Sequence, residues 1–334
     1  MLTSRWVGKA CIAAGLVLQP PLVHADDGRP PEKVSFYFAA HQDDWQLFMN
    51  PSAFQDVADR KTKTVFIHMT AGDAGSGTGT RGRKHPFYLA RENGAEAAIR
   101  FMADSSDLPV GKSAARMTFS GHSIYRVSYR STVSYFLRVP DGSASGQGYP
   151  ETGNQSLLRL AGGQVKTLAA IDGSAVYHGW PDLVATVREI LDFERGHAPV
   201  VQLNVAETDA SINPGDHPDH QMTAKAALDA AAGLACARRL YYVDYASSRL
   251  PENLSPQQRD METAVFAVTA AGIRALDHSS AWHYYNDSYV GRNYFRAEEG
   301  TGSCQASRLE IAKSQHVVAE RQSSAGRRKL VVAP

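Results

Sequence analysis

The chain predicts an α/β fold: a mostly parallel sheet with helices on both faces and an added β-rich insertion. Three observations carry this. Short β-branched and aromatic runs alternate with stretches of helix-forming composition, the order that builds parallel sheets. The first such run, residues 34–39, leads directly into His41-Gln42-Asp43-Asp44, and a strand end of this kind is where an open parallel sheet builds its ligand sites. Length and composition (334 residues, 43% apolar, 21% charged) are those of an ordinary globular chain with ample core.

The elements follow in order. Arg5 and Lys9 precede an apolar run over residues 11–18, and Val23-His24-Ala25 has the small-x-small character of a cleavage site. Residues 1–25 therefore read as a secretory signal peptide, too short to span a bilayer. Residues 26–334 show neither repeats nor a clean linker and read as one elaborated domain. After the strand at 34–39, residues 63–70 give a second, largely apolar strand, followed by a glycine-rich loop from Gly72 to Gly79. Residues 87–102 have helix-forming composition, with Ala90, Ala97, Ala98 and Ile99 on the apolar side. A β-rich insertion is expected around 120–165, with a long polar loop over 141–156. Helix returns at 181–193, behind Pro181. Strands follow at 199–205 and 239–245, a helix opens at Pro218, and another covers 255–276.

The signal predicts export, to a periplasm or to the medium, with no stable membrane span after its removal. Cleavage leaves Cys236 and Cys304, which can pair once or stay as two buried thiols; spacing does not choose. It also removes two of the 35 basic residues, leaving a balance near zero against 34 acidic ones. That balance offers no electrostatic footprint for nucleic acid.

The chemistry sits in two short runs. A hydrolytic zinc ion takes three nitrogen or oxygen ligands and keeps one position open for water. His41 and Asp44, three apart in one tight loop, can both face a cation. The third ligand must come from another element, and Asp216-His217-Pro218-Asp219-His220 offers two imidazoles at a helix start.

The Ala40-His41-Gln42-Asp43-Asp44 run, the Thr70-Ala71-Gly72-Asp73-Ala74-Gly75 loop and the His217-Pro218-Asp219-His220 helix start resemble the LmbE-like (PIG-L) deacetylase family. Tyr88-Leu89-Ala90-Arg91-Glu92 is similar to the family's helix after the glycine loop, and the likeness spans roughly residues 33 to 245. It implies a Rossmann-like fold and removal of the acetyl group from an N-acetylglucosamine-type amino sugar or glycoconjugate. The metal ligands it implies are His41, Asp44 and His220, holding Zn2+ or another divalent ion. Asp43 matches the general base. His217 matches the group that stabilises the oxyanion or protonates the amine, and a cationic imidazole at a helix start suits that task. Arg91 matches a substrate-contacting position or is an ordinary exposed helix arginine. Gln42 and Trp45 depart from the family's Pro and Glu, leaving the orientation of the ligands without its usual support.

Other residues keep two readings. Trp45 packs on a sugar face or fills the core. Asp73 touches substrate or ties down loop amides. The aromatic run 282–287 forms a sugar wall or an ordinary packing surface. His68, inside a strand, reads as a core histidine, and Arg81, Arg83, Lys84 and His85 as a solvated turn. Gly77-Thr78-Gly79-Thr80-Arg81-Gly82 matches a dinucleotide fingerprint formally, but it does not lie tightly between the first strand and its helix. Deacylation of a non-sugar or longer-chain N-acyl compound uses the same machinery, and a non-catalytic, metal-bearing carbohydrate-binding protein is the alternative of a different class.

Overall fold

The computed structural model describes residues 30–304. The expected signal peptide and the last thirty residues of the chain lie outside them. The described strands are β1 (Lys33–Ala39), β2 (Thr62–Thr70), β3 (Lys112–Phe119), β4 (His122–Tyr129), β5 (Thr132–Val139), β6 (Leu168–Ala169), β7 (Val176–Tyr177), β8 (Val200–Ala206), β9 (Arg238–Tyr242) and β10 (Phe295–Glu298). The α-helices are α1 (Asp44–Phe48), α2 (Ser52–Ala58), α3 (Phe87–Ala103), α4 (Leu157–Ala161), α5 (Trp180–Arg195), α6 (Pro218–Ala230), α7 (Pro256–Ala275) and α8 (Trp282–Tyr289).

Eight strands form one sheet in the order β10-β9-β8-β1-β2-β5-β4-β3, while β6 and β7 make a separate ribbon. From β9 to β5 every pairing is parallel. β10 and the β3–β4 hairpin add antiparallel edges. The alternating side chains of β1 explain the layers. Val34, Phe36 and Phe38 join the apolar cluster that holds α5 and α6. Tyr37 and Ala39 join the opposite cluster, with α1, α2, α3 and α7. Burial on both faces is why these parallel strands read as near-continuous apolar runs.

Two expectations need correction. The strands of the insertion occupy 112–139 rather than 120–165, and the stretch beyond them holds loops, α4 and the β6–β7 ribbon. β3 escapes sequence reading because it is an edge strand, exposed along most of its length, with no apolar alternation to detect. The strand expected at 239–245 stops at Tyr242, and Tyr245 opens a 3₁₀ turn. The two cysteines are paired: Cys236–Cys304, with Cα atoms 5.1 Å apart, ties the turn after α6 to the segment after β10. Among the described residues no helix is long and apolar enough to cross a membrane.

β1 has β2 on one side and β8 on the other, so the chain reverses its travel across the sheet there. Ligand sites of open α/β sheets lie at such a switch point, outside the carboxyl ends of the strands.

Candidate metal centre

All five parallel strands deliver side chains to that edge. Beyond β1 come His41, Asp43 and Asp44; beyond β2, Asp73; beyond β5, Asp141. β8 leads to Asp216 and the start of α6, and β9 to Asp244 and Tyr245. Three donor atoms converge at the centre. His41 Nδ1 lies 3.3 Å from His220 Nε2, and Asp44 Oδ1 lies 3.5 Å from the former and 3.3 Å from the latter. All three residues are buried. Local structure sets the aim of each. Asp44 Oδ2 accepts the His41 backbone N–H at 2.7 Å, which leaves Oδ1 free to turn inward.

The outer nitrogens are held by carboxylates. His220 Nδ1 is 2.8 Å from Asp216 Oδ1 and 3.2 Å from Asp244 Oδ2. His41 Nε2 is 3.5 Å from Asp219 Oδ2 and 3.8 Å from Asp141 Oδ2. Carboxylates behind metal-binding imidazoles fix the tautomer and raise basicity. These aspartates supply the support for the two imidazoles. Sequence reading did not assign Asp216, Asp244 or Asp141. Only Asp216, four residues before His220 and just ahead of the helix start, left a readable signal.

The electrostatics favour a cation here. Burial opposes the His41 cation, but Asp44, Asp219 and Asp141 outweigh it and hold the imidazole up at about 10. His220 lies well above its ordinary value for the same reason, burial being overcome by Asp44 and Asp216. Burial raises the Asp44 carboxyl, yet His220 and His41 more than reverse this and hold it well below the usual range. Burial, with Asp216 adding repulsion, pushes Asp244 up to about 7.

Asp43 lines the pocket beside this triangle. Its Oδ1 accepts from Arg91, whose other amino group donates to the Gly72 carbonyl at 3.1 Å. Arg91 thus lines the pocket while fastening the carboxylate next to the ligands. His217 is the N-cap of α6, and its Nδ1 accepts the Asp219 N–H at 3.1 Å. The ring proton of the neutral form therefore sits on Nε2. Burial, reinforced by the nearby His41 charge, pushes His217 down to about 4. The expected cation is corrected to a neutral imidazole, because the helix start presents a backbone N–H to Nδ1 and buries the ring.

Two expected substrate contacts lie elsewhere. Trp45 is 0% exposed; its ring packs against Phe66 at 4.7 Å and its indole N–H donates to His68 Nε2 at 3.3 Å. α1 turns it under the sheet edge, into the core. Asp73 is also fully buried, and its two oxygens accept the Asp141 and Gly77 amides at 3.0 and 2.8 Å. It fastens the glycine loop to the β5 loop. His68, as expected, is a core residue, stacked on Phe136 at 4.7 Å. The pocket over the triangle, ≈ 300 Å³, includes Tyr149, Tyr245 and Tyr285. Only Tyr285 falls within the aromatic run noted in the sequence.

The residues fit a zinc ion. Tetrahedral coordination with bonds of about 2.0–2.1 Å puts neighbouring donor atoms about 3.3–3.4 Å apart. The observed 3.3, 3.5 and 3.3 Å edges describe one face of that tetrahedron.

The backbone is similar to that of a chitobiose deacetylase. This N,N'-diacetylchitobiose deacetylase from Pyrococcus horikoshii shares 12% identity, with 80% of this chain and 84% of that one covered and a TM-score of 0.46. GalB, the 4-carboxy-2-hydroxymuconate hydratase of Pseudomonas putida KT2440, shares 13% identity over 90% and 92% of the two chains, with a TM-score of 0.35. At such values neither likeness speaks to the chemistry. No protein-family model and no curated protein matches the chain.

Proposed function

We propose that the protein is a zinc-dependent hydrolase that removes the acetyl group from an N-acetylated amino sugar. The observation that carries this reading is the buried triangle of His41 Nδ1, Asp44 Oδ1 and His220 Nε2, with a carboxylate and an N–H donor beside it. The sugar itself is supported by the motif resemblance and by the tyrosine-walled pocket.

A zinc ion bound at the triangle supplies a Lewis acid that acidifies water and polarises an amide carbonyl. The chain's own residues do the rest. Asp43, held by Arg91, takes the proton of the attacking water on its carboxylate. The Nε2–H of His217 donates to the oxygen on which negative charge develops, and a donor so placed is typically worth about 3–4 kcal/mol. As the carbon–nitrogen bond breaks, the proton carried by Asp43 passes to the leaving amine. The products are acetate and the free amino sugar.

Export is part of the proposal. It is supported by the N-terminal charge and apolar pattern and by the Cys236–Cys304 bridge, since disulfides persist in oxidising compartments. Acetate release from a panel of N-acetylated sugars, with and without chelator, tests the reaction. Asp43→Ala should keep its metal and release no acetate; undiminished turnover would remove Asp43 as the base.

A further inference from the structure

Three tyrosines from three elements wall the pocket, and they are not alike. Tyr245 stacks on Tyr289 at 5.7 Å and meets His220 edge-on at 5.0 Å. Tyr285 meets Tyr289 at 5.4 Å. Both belong to an aromatic cluster packed behind the metal ligands. Tyr149 stands apart, in the loop after β5. It is half-buried, and its hydroxyl bonds to no group among the described residues.

Its ring has a built seat. A Cβ at Gly75 would fall 2.6 Å from Tyr149 Cγ and Cδ1 and 2.9 Å from its Cβ, so the ring lies directly on the Gly75 backbone. Gly75 also has φ +73°, a conformation L side chains resist. The Tyr149 carbonyl accepts the amides of Thr152 and Asn154 at 3.1 and 2.8 Å, fixing the loop behind the ring. The base of the ring is thus backed by glycine, while the residue borders the pocket beside Ala74 and Ala144. Packing alone does not explain a pre-set, half-open aromatic over a hydrolytic centre. A rigid ring held at the pocket wall suits a ligand that presents an apolar face.

We infer that Tyr149, seated on Gly75, is the platform on which the pyranose ring of the substrate stacks, and that it selects cyclic over acyclic N-acetyl amines. This rests on the amino-sugar reading of the centre.

The test compares an N-acetylglucosamine disaccharide with N-acetylethanolamine, which has the same amide and no ring. Tyr149→Ala should raise KM for the sugar about tenfold, with kcat and the acyclic amide affected far less. Tyr149→Phe keeps the ring and should retain the wild-type KM. Gly75→Ala, which unseats the ring, should copy Tyr149→Ala. Equal losses on both compounds, or an unchanged KM for the sugar, overturn the inference. Calorimetric titration of the sugar into Asp43→Ala protein, with and without Tyr149→Ala, reads the contact without turnover; equal or absent binding also overturns it. Sugar turnover with an unchanged KM removes the platform alone. Turnover of the acyclic amide with neither turnover nor binding of sugar removes the amino-sugar reading as well.

Discussion

Gly272→Ala sets two effects of known size against each other. Gly272 lies in α7 where it crosses α3, the helix that carries Arg91 to Asp43. A Cβ there would sit 2.7 Å from Gly94 Cα, 3.0 Å from the Asn93 carbonyl oxygen and 3.2 Å from the Gly94 nitrogen. All three are backbone atoms, so no side chain can swing aside. Ordinary carbon–carbon contact is about 3.5–4.0 Å, which requires the helices to part by roughly 1 Å. Overpacking of this kind costs about 1–3 kcal/mol. Parting the helices also loosens the bond from Asn93 Nδ2 to the Gly272 carbonyl, 2.8 Å long, whose loss adds about 1 kcal/mol. Against this, alanine is favoured over glycine in a helix by about 1 kcal/mol. The expected net is a loss of about 1–3 kcal/mol, read from urea unfolding at constant m. Gly233→Ala, where an added Cβ meets nothing within 4 Å, is the control and should stay within about 0.5 kcal/mol of wild type. Acetate release should fall with stability in Gly272→Ala, because α3 positions Arg91. If Gly272→Ala is as stable as wild type or more so, helix propensity has won, and the close crossing of α3 and α7 is not what holds that face.

Three further outcomes follow from particular contacts. Asp216→Asn removes the charge behind His220 and should weaken zinc affinity about tenfold in chelator competition, Asp244 remaining as a partial substitute; unchanged affinity would show that Asp216 does not support the ligand. Burial lifts Glu262 of α7 from 4.5 to about 9. A raised acid stabilises the fold below its unfolded pKa, so this contribution should fall away as pH climbs from about 4.5 through 9. Glu262→Gln should lack that component when unfolding is compared at pH 6 and pH 10; parallel losses in the two proteins would assign the alkaline decline to other groups. The Cys236–Cys304 bridge spans 68 residues of sequence, and its reduction should cost about 4 kcal/mol, seen as a lower urea midpoint in dithiothreitol that the Cys236→Ala, Cys304→Ala double variant reproduces without reductant.

The sequence by itself determined what is local. An apolar strand that ends in His41, Asp43 and Asp44, and a proline-started helix that opens with His217 and His220, are each a few residues long. Propensity and spacing suffice to read them. The parallel core was equally legible, because strands buried on both faces announce themselves as apolar runs. The tertiary structure decided what depends on strand order. Placing β8 beside β1 brings His220 within 3.3 Å of His41 across 179 residues of chain. Pairing β9 with β8 sets Asp244 behind His220, and pairing β5 with β2 sets Asp141 beside the pocket and Tyr149 against Gly75. Trp45 shows the limit most plainly. A large aromatic next to a His-Asp run reads the same whether it faces ligand or core, and only the turn of α1 against Phe66 sends it inward. Hydrophobic periodicity records which face of an element is buried, but not which distant element buries it.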